Sequence, residues 1–226
     1  MRRALGWGAL AGVLALLVLD AVVARAGISS GPLLPRATGA GPWLVSRALG
    51  LTAYVALSLE IVFGLLVSTG AADRLLARAR ALELHQWLSS VSLALVGAHA
   101  ITLLGDGFAG LDVIDLAVPF ASELQRLATA IGVLCAYAML GLHLSYAARG
   151  KIGARTWRKL HYGSFALYVL ATVHGLAAGT DSGRLFTTLL YTVSASGVVF
   201  LLAVRLALVA AKRAKRSARG AGHAGR

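Results

Sequence analysis

The chain has 226 residues, a net charge of +13 at pH 7, 58% hydrophobic residues and 14% charged ones, against about 25% charged in a soluble domain. Its apolar residues come in long blocks, which marks an integral membrane protein and removes the excess of Lys and Arg from the nucleic-acid class. The single cysteine, Cys135, excludes an internal disulfide and any CxxC metal or iron–sulfur site, and its apolar surroundings make it a packing residue.

In chain order, six apolar segments are each long enough to cross a hydrocarbon core of about 30 Å, so the expected fold is an all-α membrane bundle. The first, 5–26, follows Met1-Arg2-Arg3. The "ARAG" near its end resembles a signal-cleavage site, but the run is long for a signal peptide and is expected to be a retained span. The loop "SSGPLLPRATGAGP" leads to the second span, 43–69. The third is 84–104, followed by "GDGFAGLDVIDLAVPFASE" (105–123), an acidic loop suited to a short interfacial helix. The fourth, fifth and sixth are 126–148, 156–178 and 184–210. The tail "KRAKRSARGAGHAGR" reads as a disordered basic anchor for anionic headgroups, with docking of a cytoplasmic partner as the alternative. Three regions result: 1–42, a first span with its outer loop; 43–210, the membrane core; and 211–226, the tail.

Charge placement sets the expected orientation. With the N-terminus inside, Arg2, Arg3, Arg74, Arg78, Arg80, Arg149, Lys151, Arg155, Arg158, Lys159, Arg205 and the tail fall on the inner side. Only Arg25, Arg36, Arg47, Arg126 and Arg184 fall outside, together with Asp106, Asp112, Asp115, Glu123 and Asp181. The positive-inside rule then gives N-in and C-in. No Walker motif and no GxGxxG at a strand–helix junction occurs.

Histidines carry the chemistry. His85 and His99 lie on the third span, and His161 and His174 on the fifth. Both spans run from inside to outside, so the first histidine of each is nearer the cytoplasm. At 1.5 Å per residue each pair is separated by about 20 Å along its helix. Two levels follow, each with one imidazole from each span, which is the axial ligand set of a low-spin b-type heme. The other readings of an intramembrane histidine are a hydrogen-bonded core residue, a proton relay or another metal site. One feature resists a straight helix: 14 residues leave His85 and His99 about 40° apart around the axis, whereas 13 leave His161 and His174 about 140° apart. Span five is therefore expected to be tilted, locally rewound near Gly163 or Gly175, or flanked by cofactors on differing sides. His143, near the inner end of span four, is at the level of His85 and His161 and is kept outside the ligand set. His223 lies in the tail.

The stretches "LHQWLSSVSLALVGAHAITLL" and "RTWRKLHYGSFALYVLATVHGLAAGTDS" resemble the ferric reductase-like transmembrane domain over roughly 43–208. That superfamily includes the membrane parts of NADPH oxidases, ferric reductases and the heme-binding subunit of the bacterial periplasmic methionine sulfoxide reductase system. The resemblance implies two b hemes, held by His85 with His161 and by His99 with His174. It also implies transmembrane electron transfer in the inner (plasma) membrane of a bacterial-type cell. A cytoplasmic flavoprotein reductase or a membrane quinol would be the donor, and a periplasmic or extracellular redox protein or ferric iron the acceptor. The stretch after the last span has no FAD or NADPH module, so the chain looks like the stand-alone members that work with separate partners. No motif decides whether it also binds a flavin such as FMN, or a quinone.

Anionic propionates call for cations at the bilayer faces. Arg47 suits the outer heme; Arg80, Arg158 and Lys159 are candidates for the inner one, and equally for ordinary snorkelling. Glu60 is the only acid deep in the last five spans; charge balance, a quinone contact or an interhelical hydrogen bond would each explain it. Gly50 and Gly64 on the same span suit close approach of a macrocycle or of a helix. Two other classes of function fit the same composition: a heme-free proton-coupled transporter, and a membrane anchor subunit whose hemes only stabilise a complex.

Overall fold

A computed structural model describes residues 41–74 and 77–224. The expected first span at 5–26, with Arg2, Arg3, Arg25 and Arg36, lies outside the described residues. So does most of the loop 29–42.

The described chain is helical. In order come α1 (Gly41–Thr69), a short 3-10 turn (Ala71–Arg74), α2 (Arg78–Leu104), α3 (Val113–Ala117), α4 (Arg126–Ile152), α5 (Ala154–His161), α6 (Gly163–Ala178) and α7 (Leu185–Ala224). Four of them, α1, α2, α4 and the first part of α7, are long and apolar enough to cross a membrane. This is a multi-pass membrane protein. The interfacial helix expected in the loop 105–123 is α3, whose first turn is closed by Asp112 and Asp115 in a reciprocal cap. Tyr137 of α4 ties that loop down by donating to the Ala117 carbonyl.

Two expectations are corrected. The segment 156–178 is not one helix. It is α5 and α6, interrupted at Tyr162. At 16 residues, α6 is about 24 Å long and too short to cross alone. The cause is local: α5 carries "ARTWRKLH", whose cations belong at the surface. Past it, the Phe165 N–H reaches back only three residues to the Tyr162 carbonyl, at 3.2 Å. The chain is thus wound more tightly there, at Gly163. Gly153 joins α4 to α5 at φ 82°, a left-handed value that a residue with a Cβ takes at a cost. The second correction concerns 211–226: helix α7 continues through this basic segment to Ala224 instead of ending near 210. Alanine, lysine and arginine are strong helix formers, and nothing in "AKRAKRSAR" breaks the helix.

The core lies among α1, α4, α6 and α7. Tyr54, Leu57, Ile61 and Leu65 meet Cys135 and Met139, Leu167 and Tyr168, and Tyr191 and Val198. Cys135 is a buried free thiol in this cluster, as its surroundings imply. At its centre the Tyr54 and Tyr168 hydroxyls are 3.0 Å apart, and Thr172 donates to Tyr54 at 3.2 Å. Between helices in a bilayer, packing and such bonds carry the association, because lipid is as apolar as leucine. By contrast α2 buries only Ala81, Leu88 and Ser92. It is held almost wholly by α1, and small residues line the seam: Ser46, Ala53 and Ala56 on α1, Ala81 and Ser92 on α2.

Tyr54→Phe removes the hydroxyl at the centre of this cluster, while Thr172 keeps its bond to the Tyr168 carbonyl and Tyr168 the one from Ser58, so the cost is that of a net hydrogen bond, about 0.5–1.5 kcal/mol. The variant is expected to unfold at a lower temperature than the wild type in detergent, and Tyr168→Phe to do the same. Thermal unfolding of the purified proteins checks both.

Candidate paired-histidine metal centres

Two of the four intramembrane histidines, His85 and His161, meet ring to ring. The rings of His85 and His161 have centroids 6.0 Å apart and planes at 87°. Two imidazoles on opposite sides of one metal, each nitrogen at about 2 Å, have centroids roughly 6 Å apart. The remaining two, His99 and His174, are each tied to a helix carbonyl, on α1 and on α4. The helices that carry the four, α2 on one side and α5 and α6 on the other, do not pack as neighbours. Instead α1 backs α2, and α4 backs α6.

Each ring is fixed from behind. His85 donates Nδ1–H to the Glu60 carbonyl at 2.9 Å. His99 does the same to the Ser46 carbonyl at 2.8 Å, with the Ser46 hydroxyl 3.0 Å from the same nitrogen. His174 donates to the Ala128 carbonyl at 2.8 Å. A hydrogen bond at Nδ1 leaves Nε2 as the free lone pair, which is how a metal-binding histidine is oriented and made more basic.

The accepting carbonyls are ordinary helix carbonyls, and glycine makes them reachable. Four residues after Ser46, Glu60 and Ala128 stand Gly50, Gly64 and Gly132. A Cβ on Gly50 would lie 3.2 Å from His99 Nδ1. On Gly64 it would lie 3.3 Å from His85 Cε1, and on Gly132 only 2.5 Å from His174 Cε1. The missing side chain is the space the imidazole occupies. Gly50 and Gly64, singled out in the sequence for close approach, thus receive histidine rings. Gly132 and Ser46 were not anticipated. Their signal was available: Gly50 and Gly64 are spaced by the same 14 residues as His85 and His99, on helices that run antiparallel.

His161 is held differently. Its ring stacks on Trp157, with centroids 5.0 Å apart and planes at 22°. Trp157 in turn meets Tyr146 edge to face at 6.0 Å.

Among the supporting residues, Arg47 is next to Ser46, near the start of α1. It pairs with Asp181 at 2.7 Å, donates to Thr180 and lies over the Trp43 ring. Arg80, Arg158 and Lys159 are exposed. A cation not singled out, Arg205 of α7, lies over the ring of Tyr162, the residue after His161, at 5.5 Å. Glu60 does two things: its carbonyl orients His85, and its carboxyl faces Ser89, whose hydroxyl is 3.3 Å from His143 Nδ1. His143 therefore belongs to a polar chain beside the His85–His161 pair.

Among the described residues no three His, Cys, Asp or Glu side chains gather. The donors come in twos. A zinc site asks for three or four protein ligands; a porphyrin brings four nitrogens of its own and asks for two, so paired imidazoles with oriented Nε2 atoms fit heme. Comparison with protein-family models, curated proteins and solved structures finds no match.

On the axial-ligand reading, Gly132→Ala drives a methyl into His174 and is expected to lower heme content from two per chain towards one. Gly97→Ala, where a Cβ meets nothing within 4 Å, is expected to keep both. Pyridine hemochrome assay against protein concentration checks the pair of variants.

Proposed function

We propose that the chain is a diheme b-type membrane cytochrome, similar to the stand-alone ferric reductase-like proteins, that carries electrons across the bilayer. The observation that carries this reading is the pairing. His85 and His161 meet ring to ring, and three of the four histidines, His99 and His174 among them, have Nδ1 committed to a carbonyl and Nε2 free. When bound, the hemes supply iron that changes oxidation state by one electron with both axial positions filled.

The protein's own residues do the rest. His85 with His161 and His99 with His174 fix the two levels, about 20 Å apart along the helices. The apolar bundle keeps ions and water from following the electron. The basic ends of α2, α4 and α5 lie at the level of His85 and His161, the inner side by the positive-inside rule. With 5–26 counted as the first span and α5 with α6 as the fifth, the bundle has six spans, N-in and C-in, in a bacterial-type inner membrane. An acidic surface on a flavoprotein donor would complement Arg149, Lys151, Arg155, Arg158 and Lys159, and a quinol would reach the inner level through lipid. The acceptor is then an outer-face redox protein or ferric iron.

A heme-free proton-coupled transporter is favoured by one feature, the chain Glu60, Ser89 and His143. The same experiment separates the two. Protein reconstituted in vesicles, with ferricyanide trapped inside and dithionite outside, is expected to reduce the trapped ferricyanide only when heme-loaded. His99→Ala, which leaves one level, is expected to abolish that reduction. Reduction without heme, or undiminished reduction in His99→Ala, would contradict the proposal.

A further inference from the structure

The four histidines are not equivalent. Three share one arrangement: Nδ1–H on a helix carbonyl, with glycine four residues on. On α4 that arrangement holds His174 against Ala128 and Gly132. His161 is thirteen residues before His174, and thirteen residues after Gly132, on the antiparallel helix, stands Ser145. The carbonyl four residues before it belongs to Gly141. The fourth position thus carries a serine in place of glycine, and that serine turns to its own helix, donating to the Leu142 carbonyl at 2.7 Å. His161 makes no carbonyl bond among the described residues and rests on the face of Trp157 instead.

A shallow groove of about 380 Å³, largely open on one side, runs beside this position, lined by Ala138, Gly141, Leu142, Ser145, Leu160 and Gly163. The lining is mostly apolar and flanks His161 in the chain on both sides. His161 is also the last residue of α5, directly before the interruption at Tyr162. Weak anchoring, a backbone discontinuity and free volume coincide at one ligand of the four.

Building on the heme reading above, we infer that His161 is the exchangeable axial ligand. A neutral diatomic ligand takes its place on the inner iron, and the groove on the α4 side gives the displaced ring room to move. In the exchange the bond from iron to His161 Nε2 breaks and a bond from iron to the incoming carbon or nitrogen atom forms. No electron is transferred and no proton moves, since the imidazole leaves neutral. The other three histidines, tied at Nδ1, stay bound. The inner level therefore senses or admits small gases, and the outer level only passes electrons.

Carbon monoxide is the probe. The purified full chain is reduced with dithionite, its heme content measured, and carbon monoxide added while the Soret band is followed. The expected result is a carbon monoxide difference spectrum from one of the two hemes. It persists in His174→Ala, which lacks the outer heme, and is absent in His85→Ala. Ser145→Gly opens the Gly141 carbonyl to His161, and is expected to weaken carbon monoxide binding by roughly fivefold, the worth of one net hydrogen bond of about 1 kcal/mol. Two hemes with no carbon monoxide spectrum would overturn the inference, as would a spectrum lost with the outer heme or an affinity unchanged by Ser145→Gly. Protein without heme would instead overturn the heme reading itself, and the absorption spectrum taken before gas is added tells that case apart.

Discussion

The hydrogen bond from a histidine Nδ1–H to the carbonyl of a neighbouring helix organises this bundle. A helix carbonyl already accepts one bond along its own helix, and its second lone pair is ordinarily screened by the side chain four residues on. Glycine at that place opens it. At Ser46, Glu60 and Ala128 the opening is used, and each time an imidazole fills it. The consequence reaches beyond the ring. A histidine whose Nδ1 is committed presents Nε2 in a fixed direction, away from the helix that holds it. Because α1 holds both histidines of α2, and α4 holds His174 of α6, the remaining nitrogens point into the space between α2 and α6. That is why those two helices are backed by others and do not close upon each other.

The same constraint accounts for the distribution of the core. Packing is dense among α1, α4, α6 and α7, where the tyrosine cluster sits, and sparse around α2. A helix that buried its free face against a neighbour would leave no room between its histidines and their partners. The interruption at Tyr162 belongs to this account as well. Histidines 13 residues apart on one continuous helix face directions about 140° apart. Tightening the backbone between them changes that angle, and the cost falls on the His161 side, where the anchoring carbonyl bond is missing.

Much of this was legible in the sequence. The spans at 43–69 and 126–148 matched α1 and α4 closely, because long apolar runs bounded by glycine, proline and charge leave little choice. The histidine spacing predicts two levels, of which the structure shows the His85–His161 pair ring to ring, and the mismatch between 14 and 13 points to span five. Local rewinding near Gly163 is among the forms expected and is the one found, together with a break that follows the basic stretch "ARTWRKLH". The charge of the basic tail predicts disorder, whereas its alanine and lysine content sustains helix to Ala224. The cradles were half visible. Gly50 and Gly64 stood out on a span that also carries Glu60, but their use was ambiguous until the antiparallel register matched them to His99 and His85. Gly132 went unnoticed because it has no partner glycine thirteen residues on, where Ser145 stands.

The central claim is that the four histidines act as two pairs, each holding one heme. Counting hemes per chain in the wild type, in His99→Ala, in His174→Ala and in the double variant tests it most directly. The account predicts two hemes in the wild type, one in each single variant and still one in the double variant, with the same spectrum in all three. A double variant with fewer hemes than either single variant, or single variants that lose different hemes, would show that His99 and His174 do not share a site.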